Sequence, residues 1–223
     1  MKLDAVIVAA GSSTRFGAGD KLLTDLAGRP LIAWSIAACA EAPSVERIIL
    51  VGSKGNLAKL TSLGREYSAG KFAAATEGGD RRRDSVEAGV RAAMSRYVAI
   101  QDGARPLLTP ELVERTVAAA EGKAGAIAAV PVVDTVKEVD GSLVTGHPER
   151  SRLWAAQTPQ VVLRQAWLDA AAASDNDETD DAAMLARLGL ECAVAEGDPT
   201  NLKVTRPVDL AIAEAILAWR ARR

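Results

Sequence analysis

Residues 5–21 read A-V-I-V-A-A-G-S-S-T-R-F-G-A-G-D-K, and this stretch decides the fold. Ala5 to Ala10 is a run of small and β-branched apolar residues with no alternation, the pattern of a parallel strand buried on both faces. The chain then opens into a loop with Gly11, Gly17 and Gly19, with Ser12, Ser13 and Thr14 between them. Glycines let a backbone take φ > 0 and approach a ligand closely, and successive N–H groups in such a turn make a concave anion site. Arg15 and Lys21 add two cations. A glycine-rich loop at the carboxyl end of a parallel strand, flanked by fixed positive charge, is chemistry for polyphosphate. The named phosphate loops do not match. G-x-x-x-x-G-K-[ST] fails because Lys21 precedes Leu22 and the glycines stand too far apart; G-x-G-x-x-G fails at Ser13. What remains is A-A-G-x-x-x-R-x-G-x-x-x-K.

Outward from this stretch the chain alternates between apolar strand runs and amphipathic segments. Helices are expected over about 30–42, 56–67, 82–96, from Thr109-Pro110 onward, 181–189 and 208–223. Strands are expected at 45–51, 72–76, 97–101, 124–131 and 192–195. The alternation predicts a three-layer α/β/α, Rossmann-like fold with a mostly parallel sheet, spanning residues 1–223 as one domain. It breaks between about 132 and 157. There Val133 to Val139 alternates, Asp140-Gly141 turns and Leu143-Val144 returns, the signal of a β-hairpin projecting as an arm. Trp154 to Val162 is expected to bring the chain back to the core, and Ser174 to Asp181 is strongly acidic.

The formal net charge of the 223 residues is −2, which implies no general attraction to nucleic acid or to an anionic membrane. No apolar run approaches a membrane span and no leader pattern precedes the first strand, so a cytoplasmic protein is expected. Cys39 and Cys192 suit free, buried thiols. The single histidine, His147, falls on the arm, and no zinc-ligand spacing is present.

Candidate site residues stand just past strand ends, where open α/β sheets bind ligands. In Gly78-Gly79-Asp80-Arg81-x-x-Asp84-Ser85 the glycines permit close approach, and Ser85 in the first helical turn can meet a base or ribose. The same residues read equally well as a capped helix with a solvated Arg81-Arg82-Arg83 face. Asp102 in D-G-A-R-P is a suitable Mg²⁺ ligand, with Arg105 placed to hold a phosphate; a simple turn capped by Asp102 is the other reading. In N-L-K-V-T-R-P, Lys203 stands either on the surface or facing Lys21 across a triphosphate.

Taken in order, A-A-G-x-x-x-R-x-G, G-G-D-R-x-x-D-S-V, D-G-A-R-P, P-V-V-D-T-V-K, T-P-Q and N-x-K-V-T-R-P resemble the 2-C-methyl-D-erythritol 4-phosphate cytidylyltransferases of the non-mevalonate isoprenoid pathway. The resemblance runs from Val6 to the final helix. It implies transfer of CMP from CTP to methylerythritol phosphate, with Mg²⁺ as cofactor. It implies that Arg15, Lys21 and Lys203 are catalytic, that Asp102 binds the metal, and that Ala10, Gly11, Gly79, Asp80 and Ser85 line the cytidine pocket. Arg105 and Thr158 would contact the acceptor. Thr135 and Arg150 match positions on the arm that completes the partner's site in a homodimer. Two departures stand out. Asp20 and Leu22 flank Lys21 where the family commonly has Pro and Gln, so a carboxylate adjoins the cation and is expected to weaken triphosphate affinity modestly. Gly103 replaces the first alanine of the usual D-A-A-R-P. Ribitol-5-phosphate cytidylyltransferases share this framework, and a nucleotide-binding protein without turnover is the non-enzyme alternative.

Overall fold

The structure is a computed structural model; it describes residues 1–11, 16, 20–173, 178 and 180–222. Arg15, Gly17, Gly19 and most of the acidic stretch 174–179 lie outside the described residues. In chain order the elements are β1 (Leu3–Ala9), β2 (Asp25–Leu26), β3 (Arg29–Pro30), α1 (Leu31–Glu41), β4 (Val45–Gly52), α2 (Leu57–Tyr67), β5 (Phe72–Glu77), α3 (Arg82–Ala92) and β6 (Tyr97–Asp102). They continue with α4 (Pro110–Ala120), β7 (Gly125–Pro131), β8 (Glu138–Asp140), β9 (Leu143–Gly146), β10 (Trp154–Leu163), α5 (Arg164–Ala173), α6 (Asp181–Ala186), β11 (Cys192–Glu196) and α7 (Pro207–Arg220).

Seven strands form one sheet in the order β11-β7-β10-β6-β1-β4-β5. All neighbours run parallel except β10, which is antiparallel to both β6 and β7. The period of two along a strand divides the core between the two faces. From β1, Leu3, Ala5, Ile7 and Ala9 pack with Leu31 and Ile36 of α1, Leu60 of α2 and Leu112 of α4. Val6 points the other way, into a core cluster with Val86 and Val90 of α3, Trp167 of α5 and Met184 of α6. The three layers expected from the sequence are these two helix sets and the sheet between them.

Strand β1 is the point where the winding reverses. After β1 the chain builds outward through β4 and β5, then returns to place β6 on the other side of β1. Val8 of β1 is therefore the register partner of Asp102 at the end of β6. The crevice at such a switch point is where this architecture takes a ligand.

Several sequence expectations are corrected. Helix α3 ends at Ala92, not near residue 96, although Val86, Val90 and Met94 keep helical spacing. The buried Asp4 carboxylate accepts hydrogen bonds from the backbone N–H groups of Met94 (2.7 Å) and Ser95 (3.1 Å), and Arg47 pairs with it at 2.5 Å. These contacts draw the chain out of helical geometry and leave the Met94 side chain exposed. Pro30 stands before the first turn of α1 rather than within it. Helix α6 stops at Ala186, and Gly189 takes a left-handed φ of +70° three residues on. The hairpin forms as β8 and β9, but only from Glu138, so Thr135 precedes it. Trp154 re-enters the sheet opposite Pro131, yet its side chain is exposed. Cys39 is buried, which pushes its thiol pKa up to about 12, while Cys192 on the edge strand is only half-buried.

Candidate active site

The carboxyl ends of β1 and β6, the first turn of α3 and the segment 201–205 enclose a cleft of about 620 Å³. It brings together Ala10, Gly11, Lys21, Gly79, Asp80, Ser85, Asp102 and Lys203 from the sequence-derived set. Among the described residues, Lys21, Lys54, Arg81, Arg82 and Lys203 contribute positive charge to its walls, against Glu77, Asp80 and Asp102. A positive surplus inside a concave wall suits a polyanion.

The nucleotide side is set by close packing at the end of β5. A Cβ on Gly78 would lie 2.5 Å from Ser85 Oγ and 2.8 Å from the Ala10 methyl, and one on Gly79 would lie 2.5 Å from the Asp84 Cβ. The glycines therefore let α3 begin directly against the sheet. Asp84 accepts from the Arg81 backbone N–H at 3.2 Å, closing the first turn, and Ser85 Oγ donates to the Gly79 carbonyl at 3.3 Å.

Asp20 has a structural role beside the cleft. Its carboxylate caps the turn at Lys21–Leu23, accepting from the Leu22 N–H at 3.0 Å, and accepts from Asn56 Nδ2 at 2.7 Å. Asn56 also donates to the Ala9 carbonyl at 3.1 Å. Asp20 thus ties the far end of the glycine loop to the tip of β1. Lys21 Nζ reaches across the cleft to the Val204 carbonyl at 2.7 Å.

Asp102 is the electrostatic centre. Its side chain is 11% exposed, and Oδ2 meets Lys203 Nζ at 3.0 Å and Arg105 Nε at 3.3 Å, while Arg82 Nε stands 3.9 Å from Oδ1. Burial raises this carboxyl, but Lys203, Arg82 and Arg105 outweigh it, so it titrates below the usual carboxylate value. Thr158 Oγ1 accepts from the Asp102 N–H at 3.0 Å. Gly103 packs so closely that a Cβ would stand 3.0 Å from the Val8 carbonyl.

Arg105 and Thr158 are buried behind Asp102 and do not line the cleft. Arg105 Nη1 donates to the Asn201 carbonyl at 2.8 Å, and Asn201 Nδ2 donates to the Thr158 carbonyl at 2.9 Å. With Val204 N–H bonded to the Ala104 carbonyl at 2.9 Å, this fixes the extended segment from which Lys203 projects. Thr135 and Arg150 are exposed on the arm, away from this cleft; Arg150 Nη1 donates to the Val133 carbonyl at 2.8 Å.

Sequence reasoning passed over Arg82. The arginine triplet divides: Arg81 pairs with Asp84, Arg83 is buried against the Ala171 carbonyl, and Arg82 turns into the cleft. No local pattern announces this, because its partner Asp181 lies far along the chain on α6.

The family model for 2-C-methyl-D-erythritol 4-phosphate cytidylyltransferase matches residues 3–219. The chain belongs to this family. It is 45% identical to the curated cytidylyltransferase of that name from Prochlorococcus marinus (strain MIT 9313), over 97% of this chain and 98% of the relative. It is 43% identical to the one from Synechococcus elongatus over 96% of each. Among solved structures, the cytidylyltransferase from Thermus thermophilus superposes with a TM-score of 0.80 at 30% identity, covering 97% of this chain and 98% of that one. The 4-diphosphocytidyl-2C-methyl-D-erythritol synthase from Anaerococcus prevotii gives 0.84 at 26% identity, covering 96% and 95%. No helix among the described residues is long and apolar enough to cross a membrane.

Proposed function

We propose that this chain transfers the cytidylyl group of CTP to 2-C-methyl-D-erythritol 4-phosphate, forming 4-diphosphocytidyl-2-C-methyl-D-erythritol and pyrophosphate, in isoprenoid precursor biosynthesis. The observation that carries the reading is the cleft at the β1–β6 switch point, lined by both Lys21 and Lys203, with Lys203 paired to the buried Asp102 carboxylate. An oxygen of the acceptor's phosphate monoester attacks the α-phosphorus, and the bond to the pyrophosphate oxygen breaks. The monoester is already anionic, so no protein nucleophile or base is required. Alignment and charge neutralisation suffice.

In this reading Ala10, Gly11, Gly79, Asp80 and Ser85 hold the cytidine, and Lys21 takes the triphosphate together with Arg15. Lys203 stabilises charge building at the α-phosphorus. Arg105 and Thr158 support the acceptor's side by fixing Asp102 and the Lys203 segment. A divalent cation fits this donor set. Asp102 offers one carboxylate, and phosphate oxygens and water would complete the shell. The Asp102 carboxylate, with Oδ1 3.9 Å from Arg82 Nε, would hold Mg²⁺. Bound there, the ion would neutralise charge on the phosphates.

The arm is read as a dimer contact. Val133, Val139, Leu143 and Val144 expose apolar side chains along it. Thr135 and Arg150 would then serve the partner's cleft. The working compartment is read as the cytoplasm, with no nucleic-acid or membrane partner. Phosphorus NMR of a reaction with CTP, methylerythritol phosphate and Mg²⁺ tests the chemistry, since a new diphosphate diester and free pyrophosphate must grow together. Mixing Lys21→Ala chains with Arg150→Ala chains tests the arm. Recovery of activity on mixing supports a shared site; no recovery from chains that do dimerise counts against it.

A further inference from the structure

Arg82 is a cation whose position the mechanism above does not use. Its guanidinium lines the cleft, and Nη2 is held by the Asp181 carboxylate at 2.8 Å. That anchor is itself rigid. The Asp181 side chain is 1% exposed, its backbone N–H donates to Gln160 Oε1 at 2.9 Å, and Trp167 Nε1 donates to its Oδ1 at 3.0 Å. A buried carboxylate gripped by an indole and aimed at one arginine fixes where that arginine's remaining N–H groups point.

The direction is informative. Across the sheet the order is β10, β6, β1. Gly11 follows the end of β1, while the anchor of Arg82 rests on β10 through Gln160 and on α5 through Trp167. In-line displacement places the attacking group opposite the leaving pyrophosphate. In the transfer reading the triphosphate tail lies at the loop that follows β1, so the acceptor's phosphate would approach from the β10 side. We propose that Arg82, aimed by Asp181, is a further acceptor-binding residue, whose guanidinium holds the phosphate monoester of the sugar phosphate for attack. The inference rests on the transfer reading above. It also explains why an arginine stands here: a planar fork can hold Asp181 with one edge and a phosphate with another, which a lysine cannot do.

Steady-state kinetics on Arg82→Gln, Arg82→Lys and Arg82→Gln/Asp181→Asn test it, with each substrate varied at saturating levels of the other. The double variant leaves no unpaired buried carboxylate and carries the test if Arg82→Gln unfolds. The expected result is a rise of tenfold or more in KM for methylerythritol phosphate, with KM for CTP within twofold of the unsubstituted chain. Arg82→Lys should recover part of the loss. An unchanged acceptor KM overturns the inference. So does an equal rise in KM for CTP, or a fall in kcat with both KM values unchanged, which would make Arg82 a support for Asp102 alone. Absence of turnover by the unsubstituted chain would overturn the transfer reading itself, and this inference with it.

Discussion

Replacing Asp102 by Asn removes the one anion that Lys203, Arg105 and Arg82 share. The contacts are not equal. Lys203 is 41% exposed, so its pair at 3.0 Å is well screened and worth ~0–1 kcal/mol. Arg105 is 11% exposed, as is Asp102, and in the variant its guanidinium would stay charged with only neutral partners, the introduced amide and the Asn201 carbonyl. Breaking a buried pair by removing one partner costs ~3–5 kcal/mol, and because Asn keeps the volume and one acceptor oxygen the low end applies, about 3 kcal/mol. At ~2–4 °C per kcal/mol for a domain of this size, the melting temperature should fall by ~6–12 °C. Scanning calorimetry at neutral pH measures it. Added sulfate should recover more of the loss in Asp102→Asn than it adds to the unsubstituted chain, since an external anion can answer the cations. A melting temperature equal to or above that of the parent would refute the reasoning and mean that the cations are solvated well enough without Asp102.

Other outcomes follow from the same geometry. Lys21→Ala and Lys203→Ala should each lower kcat by ~10²–10³ with circular dichroism unchanged, as for loss of one preorganised charge-stabilising group; full turnover in either purified variant removes that lysine from the mechanism. Gly78→Ala forces a methyl onto Ser85 and Ala10. It should raise KM for CTP about tenfold and cost ~1–3 kcal/mol of stability by overpacking, read from kinetics and urea midpoints. For Asp4, burial raises the carboxyl, but Arg47 and the Met94 and Ser95 N–H groups lower it further, so its folded pKa lies below the unfolded value. Its stabilisation is therefore complete above about pH 4 and lost as pH falls through the lower folded pKa. Asp4→Asn should be less stable at pH 7 and lose less on acidification; urea midpoints that fall in parallel with the parent's would contradict this.

The parts of this molecule that sequence made legible are those written in local patterns. The continuous apolar run of β1 announced a buried parallel strand, and Asp140-Gly141 announced the hairpin turn. Ala10, Gly79, Ser85 and Asp102 stood at strand ends or helix starts, which made them candidates for one cleft, and the ordered motifs of the family resemblance added Lys203 to them. What could not be read depended on partners distant in the chain. The end of α3 is set by Asp4, roughly ninety residues earlier, against a periodicity that continued to Met94. Arg82 sits in a polar triplet that reads as a solvated face, and only Asp181 turns it inward. Asp20 stood out only as a charge next to Lys21, and its hydrogen bond from Asn56, 36 residues on, has no local signal.

The most direct measurement is pyrophosphate release with Mg²⁺, crossing CTP, UTP, GTP and ATP with methylerythritol phosphate and ribitol 5-phosphate. Release confined to CTP with methylerythritol phosphate is the predicted result. Release with ribitol 5-phosphate instead would contradict the acceptor while keeping the cleft chemistry, and no release with any pair would contradict cytidylyl transfer itself.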